Sequence, residues 1–323
     1  MRKRALDFEK PITELVDQLK KLKDNLRCQS LDCTTETRVL EREIVHRYRE
    51  IFSDLNAWQR TELARHPDRP YMLDYLSRLT TDFIEIHGDR LFGDDPAIVT
   101  GLAVYHDMPV VLVGHQKGRG TTENLRRNFG MPNPEGFRKA LRVMEMAANL
   151  GHPIISFIDT PGAYPGKGAE ERGQAEAIAR NLLIMSRLPV PIVTVVTGEG
   201  GSGGALGLSV GDRIIMQENA IYSVITPEGC AAILWKDAHM APVAAESLKL
   251  TALDMAHLGI ADEIIPEPLG GAHRNHDLAA LILDNYIYKH IKELCNKSVN
   301  QIIRDRYFKF RRIGQLLEDS REH

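Results

Sequence analysis

Five of the seven residues from Gly198 to Gly204 are glycine, in the run Thr197-Gly-Glu-Gly-Gly-Ser-Gly-Gly-Ala-Leu206. This run constrains the chain more than any other stretch. Glycine lets backbone come close to other backbone or to a ligand, and a helix that starts there leaves its first N–H groups free to meet an anion. The run joins a predicted buried strand, Ile192 to Val196, to a predicted short helix, Gly203 to Val210. A lone glycine would read as a tight turn, but five together point to an oxyanion or phosphate site lined by backbone.

Three known patterns fit the run. Gly198 to Gly203 satisfies GxGxxG, with Glu218 or Glu228 as the downstream acid, but Gly211-Asp212 stops the helix after about two turns and leaves it short for a dinucleotide. Gly200 to Gly204 satisfies GxSxG, which would make Ser202 a nucleophile assisted by Asp237, His239 or His273. With glycine on both sides, Ser202 reads better as a small residue in a backbone pocket, and a serine hydrolase stays the alternative. The third pattern extends downstream and rests on a resemblance described below.

The rest of the chain sets the frame. With 323 residues, 43% of them hydrophobic, it can remove roughly three quarters of its unfolded surface from water, enough for a large domain with extra helices. Lys and Arg number 41 against 44 Asp and Glu, so no global field draws in nucleic acid or anionic lipid. No apolar run approaches the roughly 18 residues of a membrane span. The amphipathic stretch Leu6 to Lys23 after the basic Met1 to Arg4 is unlike a signal peptide, so a cytoplasmic protein is expected. Cys28, Cys33, Cys230 and Cys295 form no CxxC pair and are expected as free thiols, with no metal in the chain.

Leu15, Val16, Leu19 and Leu22 mark a helical stripe in an N-terminal arm over residues 1–66, with a charged linker near Gln29 to Thr37. Pro67 and Pro70 open the main domain, 67–323. There the pattern predicts a helix from Tyr71 to Phe83 and strands from Ile98 to Val104 and Val110 to His115, turned at His106-Asp107. A helix then starts at Pro134 and ends at Gly151, followed by a strand from Ile154 to Ile158, a helix from Glu170 to Leu188, and one or two strands from Arg213 to Val224. Such alternation favours an α/β fold with buried strands. Leu278 to Leu294 and Ile302 to Ile313 read as helices of a C-terminal extension from about residue 275. No internal repeat stands out.

The stretch from Gly203 to Gly229 resembles the crotonase superfamily, which holds acyl-CoA enolates on paired backbone amides. Its hydratases use two carboxylates, and the resemblance would place them at Leu206 and Glu228; Leu206 cannot transfer a proton, which disfavours an enoyl-CoA hydratase. Further stretches are Gly114-His-Gln-Lys-Gly-Arg119, Arg126 to Gly136, Ile158 to Gln174, Ser223 to Cys230 and Pro266 to Arg274. With these, the chain is similar from Leu6 to about Arg274 to the alpha subunits of bacterial and plastid acetyl-CoA carboxylase carboxyltransferases.

That resemblance implies a crotonase/ClpP-like superhelix of strand-strand-helix units, with the N-terminal arm and C-terminal helices attached. It implies carboxyl transfer from carboxybiotin, carried on the biotin carboxyl carrier protein, to acetyl-CoA, giving malonyl-CoA for fatty acid synthesis. Gly203 and Gly204 become the backbone oxyanion pair, with Gly162, Ala163 and Ala205 lining the biotin pocket. The biotin ureido anion can itself take the methyl proton, so no side-chain base is obligatory. The implied partners are a zinc-ribbon beta subunit in an alpha2beta2 assembly, the carrier protein and biotin carboxylase, and activity is expected only with the beta subunit. Lys117, Arg119, Arg126 and Arg127 form a local positive cluster, a candidate for CoA phosphates, unless they pair with nearby acids.

Overall fold

The computed structural model describes residues 5–29 and 34–314. Two helices, α1 (Lys10–Gln29) and α2 (Thr34–Ser53), form the arm, and Lys23 pairs with Glu41 across them at 2.7 Å. Cys33 lies outside the described residues, as does the side chain of Cys28. Buried Glu9 ties the start of the arm to the body: its carboxylate accepts from the Leu6 amide at 2.9 Å and pairs closely with Arg274.

Next come α3 (Ala57–Ala64), α4 (Met72–Leu79), β1 (Thr81–Glu85), β2 (Ile98–Tyr105) and β3 (Met108–His115). The β2–β3 turn has His106 and Asp107 at φ 45° and 60°, the paired positive values that a two-residue hairpin requires. After α5 (Gly120–Arg126), α6 (Pro134–Leu150) carries Pro134 in its first turn and ends on left-handed Gly151, as its sequence predicts. Then follow β4 (Ile154–Thr160), α7 (Lys167–Glu171), α8 (Gln174–Met185), β5 (Ile192–Gly201), α9 (Ser202–Leu206), β6 (Arg213–Gln217) and β7 (Ile221–Ser223). The chain closes with α10 (Pro227–Leu234), α11 (Ala241–Leu248), α12 (Ala252–His257), β8 (Glu263–Ile265), α13 (His276–Cys295) and α14 (Val299–Arg312).

The strands form one sheet in the order β1-β2-β3-β4-β5-β6-β8, antiparallel through β3 and parallel from β3 onward, with β7 branching off β5. This is the expected α/β architecture with strand-strand-helix units, the first being β2, β3 and the helices after them. Both faces are covered. Val111, Val113, Ile158 and Val196 pack with Phe137, Leu141 and Met144 of α6, while Val110, Leu112, Phe157 and Val193 pack with Tyr75 of α4 and Ile287 and Ile291 of α13. Strands buried on both faces read as continuous apolar runs, which is why they were legible.

Four boundaries differ from the sequence reading. The helix expected from Tyr71 to Phe83 ends at Leu79, because Thr80 is extended and the β-branched stretch after it pairs with β2 as an edge strand. The helix expected from Glu170 to Leu188 is split at Gly173, whose φ of 85° is left-handed. The strand expected to end at Val196 runs on to Gly201, since Glu199, Gly200 and Gly201 pair with β7. The helix expected over Gly203 to Val210 is only Ser202–Leu206.

At the N-terminal ends of β5 and β6, Arg306 of α14 is 1% exposed. Its Nε and Nη2 clasp the two Asp212 carboxylate oxygens at 2.9 and 2.7 Å, and Nη1 and Nη2 donate to the carbonyls of Met185, Leu188 and Val190 at 2.6, 2.9 and 2.8 Å. All five guanidinium N–H groups are used.

Candidate active site

The glycine run lies at the opposite, C-terminal ends of the parallel strands, where open α/β sheets place their ligands. Thr160 of β4 stands beside Gly200 of β5, and the loops that follow meet backbone to backbone. At Gly204 a Cβ would sit 2.5 Å from the Gly162 carbonyl carbon and 2.7 Å from the Ala163 nitrogen, so only glycine lets these segments touch. Gly203 is freer: its Cβ would meet only the Ile178 Cδ1 methyl at 3.3 Å. Gly198, Gly200 and Gly201 leave room for the Asp159 carboxylate, the Tyr222 ring and the Pro161 carbonyl.

The structure thus places Gly204, and with it its chain neighbours Gly203 and Ala205, beside Gly162 and Ala163. A Cβ at Gly162 would meet nothing within 4 Å. Gly201 stands at the N-cap of α9 and offers no side-chain cap, and among the described residues the amides of Gly203 and Gly204 donate to nothing. Two N–H groups without an acceptor at the start of α9, with no acid or base from Gly200 to Leu206, suit an acceptor oxygen that gains negative charge, the demand a biotin ureido or thioester oxygen makes.

A chain of charges stiffens the site from behind. Lys117 Nζ, on a side chain 11% exposed, lies 2.6 Å from Asp159 and 2.8 Å from Glu199; Arg65 then reaches Glu199 at 2.6 Å and Glu228 at 2.5 Å. Burial alone would lower the Lys117 ammonium, but the two carboxylates outweigh it and hold it above its ordinary value. Burial alone would raise Glu199, and Lys117 and Arg65 instead hold it below.

The basic cluster is thereby divided. Lys117 is spent in this network. Arg119 is held by Asp74 at 2.6 Å, by the carbonyls of Pro67 and Arg69, and over the Tyr71 ring at 4.6 Å. Arg127 is held by Glu123 at 3.1 Å and the Pro96 carbonyl at 2.7 Å. Arg126 is exposed and has no polar partner among the described residues.

The two alternatives find little here. Ser202 is exposed with φ 46°, the strain of a nucleophile elbow, yet its hydroxyl has no partner among the described residues. Asp237 caps the turn at His239, and His273 stacks on His66 at 4.0 Å. As for a hydratase, Glu228 is bound to Arg65, and Leu206 is a 44% exposed apolar side chain.

Sequence reasoning missed Arg65, Asp159 and Glu199, whose partners lie far apart along the chain. It also missed His115, whose Nε2 lies 3.1 Å from the Gly204 carbonyl oxygen. Its signal was available: His115 shares the parity of Val111 and Val113, which face α6, so it points to the α9 side of the sheet.

Residues 5–314 match the family described as acetyl co-enzyme A carboxylase carboxyltransferase-like. The chain is 56% identical over 313 residues to the acetyl-coenzyme A carboxylase carboxyl transferase subunit alpha of Geobacter metallireducens, covering 97% of this chain and 98% of the relative. The corresponding subunit of Anoxybacillus flavithermus is 54% identical over 318 residues, covering 98% of each. Among solved structures, transcarboxylase 12S aligns with TM-score 0.58 at 19% identity over 73% of this chain, which spans 45% of that longer one. The beta subunit of Pseudomonas aeruginosa geranyl-CoA carboxylase aligns with TM-score 0.54 at 16% identity, covering 76% of this chain and 46% of that one. At these identities the structures speak for the fold.

Proposed function

The chain belongs to the acetyl co-enzyme A carboxylase carboxyltransferase-like family, and from that premise we propose that it is the alpha subunit of a biotin-dependent carboxyltransferase making malonyl-CoA for fatty acid synthesis. It works with a beta subunit. The observation that carries the site assignment is the unspent Gly203–Gly204 amide pair pressed against Gly162–Ala163 at the ends of β4 and β5.

Carboxybiotin, borne by a carrier protein, supplies the carboxyl group and takes back a proton from the acetyl methyl. This chain's residues bind and orient. The amides of Gly203 and Gly204 hold the biotin ureido oxygen as charge builds on it, and Gly162, Ala163 and Ala205 shape the slot for the ring. Losing one such donor costs on the order of 100-fold in rate. The buried Lys117, Asp159, Glu199 and Arg65 hold the strand ends in register, so the loop spends no binding energy on ordering itself. Arg126 is the member of the basic cluster left free for a CoA phosphate. Arg119 and Arg127 first fix the loop that presents it.

The second oxyanion pocket comes from the partner. Exposed apolar residues support an interface beside the loop: Leu206 on α9, and Val224, Ile233 and Leu234 around α10, the last three 75%, 69% and 65% exposed. A zinc-ribbon beta subunit in an alpha2beta2 assembly, fed by the carrier protein and biotin carboxylase in the cytoplasm, completes the proposal. No described helix is long and apolar enough to cross a membrane. The arm over 1–66 and the domain over 67–323 belong to the same reading, with Arg65 bridging them. The test is malonyl-CoA-dependent carboxylation of free biotin by this chain alone, by beta alone and by the mixture. Activity in the mixture only is expected; equal turnover by this chain alone would overturn the split site.

A further inference from the structure

We infer that His115 is a positioning residue for the oxyanion loop: its Nε2–H holds the Gly204 carbonyl and so sets the angle at which the Gly203 and Gly204 amides present themselves. The inference rests on the amide-pair reading above and names what aims the pair.

A five-residue helix cannot hold its own carbonyls. Past α9, the Gly207 amide bonds to the Gly203 carbonyl at 3.0 Å and the Leu208 amide to the Ala205 carbonyl at 3.1 Å, so the Gly204 carbonyl is passed over by the turn. Three buried side chains catch what the helix leaves. Ser156 Oγ donates to the Leu208 carbonyl at 2.7 Å, Asn181 Nδ2 to the Gly207 carbonyl at 2.9 Å, and His115 Nε2 to the Gly204 carbonyl at 3.1 Å. The first two pin the far end of the loop, and His115 alone acts on a residue of the amide pair. Holding the Gly204–Ala205 peptide plane fixes the ψ of Gly204 and so limits how far the preceding plane, which carries the Gly204 amide, can turn.

The state of the ring agrees with such a role. A carbonyl accepts, so Nε2 carries the proton. Nδ1 is buried and closes no well-formed hydrogen bond, with the Phe157 backbone lying against the ring. Burial pushes His115 down to about 3 despite backbone contacts at Phe157 and Gly204, so it stays neutral at working pH. A group that never titrates in that range holds geometry and does not transfer protons.

Two polar substitutions separate the roles of the ring nitrogens. In His115→Gln the amide nitrogen reaches the place of Nε2. In His115→Asn it stops near Nδ1, short of Gly204. Each variant is combined with the beta subunit and assayed with malonyl-CoA and free biotin, with Tm followed in parallel. His115→Asn is expected to lower kcat about 10-fold or more, leaving KM for malonyl-CoA within about twofold, and His115→Gln to restore kcat to within about threefold of the parent. The pH–rate profile of His115→Gln is expected to superimpose on the parent's. Arg306→Ala, which acts at the opposite end of the sheet, is the structural control and is expected to lower Tm without lowering kcat per folded complex.

Parent-like kcat in His115→Asn, equal loss in both His115 variants, or a missing acid limb in His115→Gln would each overturn the inference. Gly204→Ala in the same assay separates this from failure of the site reading. If Gly204→Ala is inactive while His115→Asn is unimpaired, only the positioning role fails; if Gly204→Ala turns over normally, the amide pair itself is misassigned.

Discussion

The two ends of the parallel sheet handle backbone polar groups in opposite ways. At the foot, where β5 and β6 begin, Arg306 spends all five N–H groups on Asp212 and three carbonyls, and Asp212 also accepts from the Ile192 amide at 2.7 Å. At the head, where β4 and β5 end, the amides of Gly203 and Gly204 are unspent, and glycine keeps the space around them free of side chains. Saturation fastens a helix to the core and offers a ligand nothing. Withheld donors add nothing to stability, and they are what an oxyanion can use. The head can leave donors open because Lys117, Asp159, Glu199 and Arg65 fix its strands from behind.

That contrast can be broken at either end. The largest effect is expected from Arg306→Ala, which leaves Asp212 and three carbonyls buried without their partner; a loss of about 3–5 kcal/mol, read by denaturant melts, follows from breaking a buried pair. Next comes Gly204→Ala at the head, whose methyl would push Gly162–Ala163 away; carboxyl transfer in the two-subunit enzyme is expected to fall about 100-fold or more, with the circular dichroism spectrum kept. Arg126→Ala is expected to raise KM for malonyl-CoA about fivefold, as for one exposed ionic contact, with kcat unchanged; no change in KM would remove CoA binding from this residue. Smallest is Ser202→Ala, expected to alter turnover by no more than about threefold, because the pocket is backbone. A near-total loss there, with esterase activity in the parent, would revive the hydrolase reading.

The apolar strands were legible because burial on both faces leaves continuous runs such as Val110–Val113 and Ile154–Ile158. The turn at His106-Asp107 and the stop at Gly151 were legible because each needs a residue that tolerates positive φ. Less was visible where one residue serves two masters. Five glycines pointed to a backbone-lined site, but the sequence could not say that Gly198, Gly200 and Gly201 make room for packing at the end of a strand while the amides of Gly203 and Gly204 find no acceptor among the described residues. Arg306 does not stand out in the sequence, because nothing local marks a cation whose carboxylate lies 94 residues earlier. Lys117 and Arg119 looked like a cluster in one dimension; folding turns one toward Asp159 and the other toward Asp74.

The most direct test of the contrast is a crossed measurement, with Tm and turnover per folded two-subunit complex taken on Gly204→Ala and Arg306→Ala together. Gly204→Ala is expected to keep Tm within about 3 °C of the parent while losing turnover, and Arg306→Ala to lose roughly 5–10 °C while the molecules that remain folded turn over normally. Parallel loss of both quantities in both variants would contradict the account, because stability and reactivity would then not be divided between the two ends of the sheet.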